Sequence, residues 1–278
     1  MAIVTISRER GAFGRSVAKA LSASFGARFI DREIVDARLE AMGITAKNRH
    51  AFDERKPGFF AALTTAVEEY VCCLKQILYE EAMNGNCVIL GRGSQVLFKD
   101  VPGVISVRLV APPEVRYQRV AETENIDLRE AKQIVDRTDR DRGGFNSYFF
   151  DTEWTSPLTY QLVINTEHLE PANIAALITN LANETITPAV KEQSKTVLKN
   201  MAKAQAVERQ ILHVNRIPVF FLKVMCDGTQ ATLTGVVHSS DVIEKARQAA
   251  MIDGIERIQC RLEIGLHGHF DAATSRRI

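Results

Sequence analysis

Several absences narrow this 278-residue chain before any motif is read. Its five cysteines, Cys72, Cys73, Cys87, Cys226 and Cys260, form no C-x-x-C pair and are odd in number. They read as buried, reduced thiols, which sets aside a disulfide framework and a structural zinc site. No apolar run approaches the length of a bilayer span, and no charged segment followed by an apolar core opens the sequence. Neither an integral membrane segment nor a secretory signal is expected, and the expected location is cytoplasmic. A net charge of +1 gives no bulk attraction for nucleic acid or for a membrane surface. Internal repeats and low-complexity segments are missing as well. The 46% hydrophobic content allows a sizeable core, in one large domain or two ordinary ones.

What is present starts at Ile3–Ser16, IVTISRERGAFGRS. An apolar strand-like run leads into a loop holding Gly11, Ala12, Phe13 and Gly14, then Arg15 and Ser16, then a helical pattern. Amides at a helix N-terminus face an anion, and the helix dipole favours its charge. A nearby cation reaches the outer phosphates, and a hydroxyl can hold Mg²⁺. The match to G-x-x-x-x-G-K-[ST] is partial: Gly14-Arg15-Ser16 fits its end with Arg for Lys, and Glu9 stands at the opening glycine. On this stretch alone, an ordinary turn fits as well as a phosphate loop.

Strand and helix patterns then alternate. Strands are expected at 3–8, 27–31, 87–90, 104–110 and 162–165, with helices over 15–25, 32–42, 59–84 and 171–183. Gly26 and Gly43 stop the first two helices, and a charged turn is expected over 52–58. Strands alternating with helices, with Cys87–Leu90 a continuous apolar run, predict an α/β fold, a parallel sheet with helices on both faces. Ligands of such sheets bind at the carboxyl ends of the strands, where Gly11–Ser16, Asp31 and Gly91-Arg92 fall. A polar stretch around 185–193 reads as a linker. A helix over 190–212, strands at 219–225 and 230–237 joined through Asp227-Gly228, a helix over 240–251 and a strand at 258–264 predict a small second α+β domain in the order αββαβ. The expected divisions are residues 1–185, 190–265 and a flexible tail, 266–278, in which His267 and His269 read as tail rather than metal site.

The run Asp136-Arg137-Thr138-Asp139-Arg140-Asp141-Arg142-Gly143-Gly144 fits a solvated helix end with local ion pairs. It also fits a mobile, arginine-rich segment closing over transferring phosphates, flanked by a helix (128–135) and a loop (143–150). Gly91-Arg92-Gly93 fits a strand-end turn with an exposed arginine, or an arginine aimed at a phosphate. Trp154, Tyr148 and Tyr160 read as packing.

Ile6–Gly11 through Arg15, Phe29–Ile34, Val88–Gly93, Arg137–Arg142 and Tyr160–Thr166 together resemble, in order, the motifs of the cytidylate kinase-like family. The resemblance covers residues 1–183. It implies a P-loop fold, ATP with Mg²⁺ as phosphoryl donor, and a nucleoside monophosphate, CMP or dCMP, as acceptor. It further implies that Gly11–Ser16 cradle the donor phosphates, with Arg15 as their cation and Ser16 serving Mg²⁺. Asp31, Arg92 and Asp141 would meet the acceptor, and Arg137, Arg140 and Arg142 would be lid cations. The chain departs from the family at Phe13, where a further glycine is usual, at Gly93, where cytidylate kinases carry aspartate, and at Gly144, where they often carry another lid arginine. These departures favour an alternative, a catalytically weak or inactive nucleotide sensor. Residues 190–265 resemble a BON domain through Asp227-Gly228, Thr234–Val237 and Asp253–Ile255. That resemblance implies a regulatory, ligand-binding or oligomerising module.

Overall fold

A computed structural model describes residues 2–52, 54 and 65–265. Apart from Phe52 and Glu54, the charged turn expected over 52–58 lies outside these residues. So do the start of the helix expected from 59 and the tail expected after 265. Contact density divides the chain into residues 1–195 and 196–278.

The first unit is wound around β1 (Ile3–Arg8), a strand buried almost throughout. The chain continues through α1 (Gly14–Phe25), β2 (Arg28–Ile30), α2 (Arg32–Ala41), α3 (Ala46–Phe52), α4 (Thr65–Met83), β3 (Cys87–Leu90), the short α5 (Ser94–Leu97) and β4 (Val104–Val110). It then forms α6 (Pro113–Glu124), α7 (Leu128–Phe150), β5 (Leu162–Asn165) and α8 (Pro171–Thr185). The sheet order is β2-β3-β1-β4-β5, and every pairing is parallel. β1 therefore sits between β3 and β4, and the chain leaves it toward both sides of the sheet. That arrangement opens a crevice at the carboxyl ends of the strands.

The two-residue period of β1 explains its burial on both faces. Val4 and Ile6 join Val88, Leu90, Val107 and Leu109 in a core shared with Val17, Ala18 and Leu21 of α1 and Ile174, Ala175 and Ile178 of α8. Gly26 ends α1 in the left-handed conformation (φ 56°), the stop read from the sequence.

Two expectations fail. Gly143–Phe150 is not a loop, because α7 runs through both glycines to Phe150. Phe145 is fully buried and the Asn146 side chain donates back to the Arg142 carbonyl at 2.9 Å, so packing outweighs the glycines' low helix propensity. Nor is 185–193 an extended linker: α9 (Pro188–Arg209) begins three residues after α8 ends.

In the second unit, a π-helical turn (Gln210–Val214) precedes β6 (Phe220–Asp227), β7 (Gln230–Val237), α10 (Ser240–Ala250) and β8 (Arg257–Ile264). β7 is central, antiparallel to β6 and parallel to β8. Ala231 and Leu233 of β7 and Leu262 of β8 bury against Val242, Ala246 and Ala250 of α10. The helix–strand–strand–helix–strand order is the one read from the sequence. No helix among the described residues is long and apolar enough to cross a membrane.

Trp154 is the chain's only tryptophan and is buried in the first unit, so its fluorescence reports that unit alone. Leu21→Ala removes a fully buried side chain between α1 and the sheet. It is expected to lower the stability read from Trp154 fluorescence in urea by about 2–5 kcal/mol.

Candidate active site

The site grows outward from the end of β1. Trp154 Nε1 donates to the Ser7 hydroxyl at 2.6 Å. Arg108 on β4 lies over the Trp154 ring, 4.2 Å from its centroid, and donates to the Trp154 carbonyl at 2.5 Å. The Tyr160 hydroxyl donates to that same carbonyl at 2.9 Å. Trp154 and Tyr160 are thus packing residues, as read, and they hold a buried arginine in place. The second arm of Arg108 reaches Glu9 at 3.1 Å, and Arg116 of α6 meets Glu9 at 3.3 Å. The carboxylate at the position of the pattern's first glycine therefore ties the loop to β4 and α6.

Gly11 has φ 84°, and a Cβ there would stand 2.8 Å from the Arg116 carbonyl. Only glycine lets the loop lie this close to α6. Phe13 takes a left-handed backbone (φ 57°) at the N-cap of α1. Its ring packs on the sheet core, with the Arg119 guanidinium 3.8 Å from its centroid. Arg119 also donates to the Thr166 carbonyl at 2.8 Å and the Glu167 carbonyl at 3.1 Å, riveting the glycine loop to the segment after β5. Phe13 does not line the cleft described below. Among the described residues, the amides of Gly14, Arg15 and Ser16 meet no acceptor, and no acidic residue sits in the first turn of α1.

A cleft of about 310 Å³ opens at the carboxyl ends of the strands. Among the described residues, seven arginines line it (8, 10, 15, 32, 92, 137 and 142), against three acids, Asp31, Glu54 and Asp141. Arg15, half exposed, reaches Asp31 at 3.0 Å. Asp31 in turn caps α2, accepting from the Glu33 amide at 3.0 Å. Arg92 is not an exposed turn residue: it is 2% accessible, with φ 61°, and donates to Asp36 at 3.2 Å and the Tyr70 hydroxyl at 3.4 Å. Arg137, Thr138, Asp141 and Arg142 share one face of α7, the i, i+1, i+4, i+5 set of a helix, and all line the cleft. Arg140 is exposed and does not line it. The arginine run therefore lies within one continuous helix, with Arg137 and Arg142 on its cleft face and Arg140 off it. Asp139 braces that helix from behind, accepting from Arg116 at 2.6 Å and from the Arg10 amide at 2.8 Å.

Glu54 is held among these charges by two of the arginines. It accepts from Arg8 at 2.8 Å and Arg142 at 3.1 Å. Burial alone would raise its carboxyl, but the Arg8 and Arg142 guanidiniums overcome this and hold it far below the usual carboxylate range. Burial, aided by the like charge of Arg8, lowers Arg142 to about 10 despite Glu54 and Asp139. Arg8, Arg10 and Glu54 were given no role from the sequence, and Asp31-Arg32 was read as a strand-end turn more readily than as a phosphate contact. The one signal was the alternation Arg8-Glu9-Arg10, which repeats the charge pattern of Arg137–Arg142.

Gly93 is explained by packing. Its φ is 66°, and a Cβ would overlap the Phe150 ring. An aspartate cannot stand there while α7 keeps this course.

Residues 3–168 match the cytidylate kinase-like family, well over half of the chain. The chain belongs to that family. Membership places it among the nucleoside monophosphate kinase-like phosphotransferases. It is 28% identical over 179 residues to a cytidylate kinase of Staphylothermus marinus, spanning 61% of this chain and 89% of that one. It is 29% identical over 184 residues to a cytidylate kinase of Ignicoccus hospitalis, spanning 64% and 97%. An uncharacterized protein of Eubacterium ventriosum shares the fold at 18% identity, with a TM-score of 0.52 over 66% of this chain and 99% of that one.

Gly93→Ala combines a strained backbone with displacement of Phe150, and is expected to cost about 1–3 kcal/mol in urea unfolding followed by Trp154 fluorescence. The Glu54 carboxyl is lower in the folded than in the unfolded chain, so acid protonates the unfolded chain first. Its contribution is full above the ordinary value of 4.5 and is lost as pH falls below it. Glu54→Gln is expected to flatten that acid limb of the stability profile.

Proposed function

We propose that the first unit transfers the γ-phosphoryl group of ATP to a nucleoside monophosphate, CMP or dCMP. The observation that carries this reading is the convergence of seven arginines beside a glycine loop at the carboxyl edge of the sheet. Phosphoryl transfer needs positioning and positive charge on the moving oxygens, and little covalent chemistry from the protein. The Gly14, Arg15 and Ser16 amides suit the donor phosphates by hydrogen bonding and helix dipole together. The half-exposed Arg15 side chain, paired with the buried Asp31, is able to swing from it to a phosphate.

Magnesium fits this site in a limited way. The exposed Ser16 hydroxyl stands at the helix start, and no group of three metal-ligating side chains exists among the described residues. That matches an ion held mostly by substrate phosphates, with one protein oxygen. When bound, it would neutralise charge on the donor phosphates. Arg137 and Arg142 reach the cleft from α7 and stabilise the equatorial oxygens as charge redistributes. Arg92 receives the acceptor phosphate, and Asp31 and Asp141 supply polar contacts to the rest of the acceptor. Arg140 stands outside this machinery.

A nucleotide sensor is the second reading. It is favoured by the saturation of Arg8, Arg92 and Arg142 with partners from the chain itself. In either reading, the second unit serves as a BON-like regulatory or ligand-binding module.

In a coupled assay with ATP, Mg²⁺ and a panel of monophosphates, turnover is expected to be highest with CMP or dCMP. Arg137→Ala should lower kcat by about 10²-fold or more, and Arg140→Ala should leave it near the wild-type value. A folded protein with no turnover on any acceptor contradicts the kinase reading. Tight nucleotide binding in that same protein would support the sensor.

A further inference from the structure

Three arginines from separate elements meet at one point in the cleft, and a carboxylate of the chain fills that point. Glu54 Oε1 accepts from Arg8 Nη1 at 2.8 Å and from the Arg92 amide at 3.1 Å, while Oε2 accepts from Arg142 Nε at 3.1 Å. Arg8 ends β1, Arg92 follows β3 and Arg142 projects from α7, so the fold places these donors by strand ends and a helix face. Arg142 is further fixed by donating to the Arg8 carbonyl at 3.0 Å. Gly91 keeps the point open, since a Cβ there would overlap both the Glu54 carboxylate and the Arg8 guanidinium. Glu54 and Arg92 both hold left-handed backbones, φ 47° and 61°.

Guanidiniums and an amide converging on one anion make a phosphate-binding set. A carboxylate satisfies it with two oxygens and one negative charge. A phosphate offers three oxygens and up to two charges. We propose that Glu54 is an internal stand-in for phosphate: an acceptor's phosphate binds between Arg8, Arg92 and Arg142 by displacing the Glu54 carboxylate, which thereby sets how tightly acceptors bind. This deepens the reading of the cleft given above and rests on it. It adds Arg8 and Arg142 to the acceptor-phosphate subsite, and it gives the saturated arginines a role other than inactivity.

The test is calorimetric titration of the full chain and of its Glu54→Gln variant with inorganic phosphate and, separately, with CMP. Glutamine keeps the shape and removes the competing charge. Both ligands are expected to bind the variant about tenfold or more tighter than the wild type. Equal or weaker binding of phosphate overturns the proposal, and so does no binding to either protein. A merely structural Glu54 would lower the variant's stability without tightening either ligand. Inorganic phosphate involves neither nucleoside nor transfer, so failure of the kinase assay leaves this result readable, and the reverse holds too. Should the variant not fold, the wild-type Glu54 carboxyl can be followed by carbon-13 NMR. Saturating phosphate is expected to return its titration toward the ordinary carboxylate range, and an unchanged Glu54 signal overturns the proposal.

Discussion

Repulsion among guanidiniums is the constraint that organises this site. Seven arginines cannot share one cleft unless carboxylates separate them, because buried like charges repel strongly where the effective dielectric constant is low. Around the cleft, Asp31 meets Arg15, Asp36 meets Arg32 and Arg92, and Glu54 meets Arg8 and Arg142; behind its wall the pairing continues, with carboxylates each held between two arginines. Glu9 lies between Arg108 and Arg116, and Asp139 between Arg116 and Arg142. The chain of alternating charge runs from β4 through the glycine loop to α7, so loop, helix and sheet are held by one lattice. Removing any one carboxylate leaves partly buried cations uncompensated, which is costlier than the pair itself is stabilising.

The fold supplies what the lattice requires. A parallel sheet with β1 at its centre delivers Arg8, Asp31 and Arg92 to the same edge, because all five strands end there. The face periodicity of α7 then selects Arg137, Asp141 and Arg142 for the cleft and leaves Arg140 in solvent. Family membership and geometry agree on phosphate chemistry. What distinguishes this chain from a plain phosphate cleft is that its own carboxylates already occupy part of the cation set.

The sheet was legible because its strands alternate with helical patterns and Cys87–Leu90 is a continuous apolar run, the mark of a strand covered on both faces. Gly26 and the Asp227-Gly228 hairpin were legible because turn chemistry is local. The course of α7 was not, since two adjacent glycines argue against a helix. What carries it through is long-range, including Gln95 donating to Asn146 across 51 residues at 2.6 Å. Glu54 was invisible for the same reason, its partners lying 46, 38 and 88 residues away. Phe13 was read as a departure from the glycine usual in the family. Its ring meets Arg119, a partner that no local pattern indicates.

The most direct test of this account is a crystal structure of the chain with a bisubstrate analogue, cytidine and adenosine joined through a chain of phosphates. The account predicts that chain running from the Gly14–Ser16 amides to Arg92, with its cytidine-side phosphate against Arg8, Arg92 and Arg142 and the Glu54 carboxylate moved off them. Phosphates bound away from this cleft, or an undisturbed Glu54 with the arginines still closed on it, would contradict it.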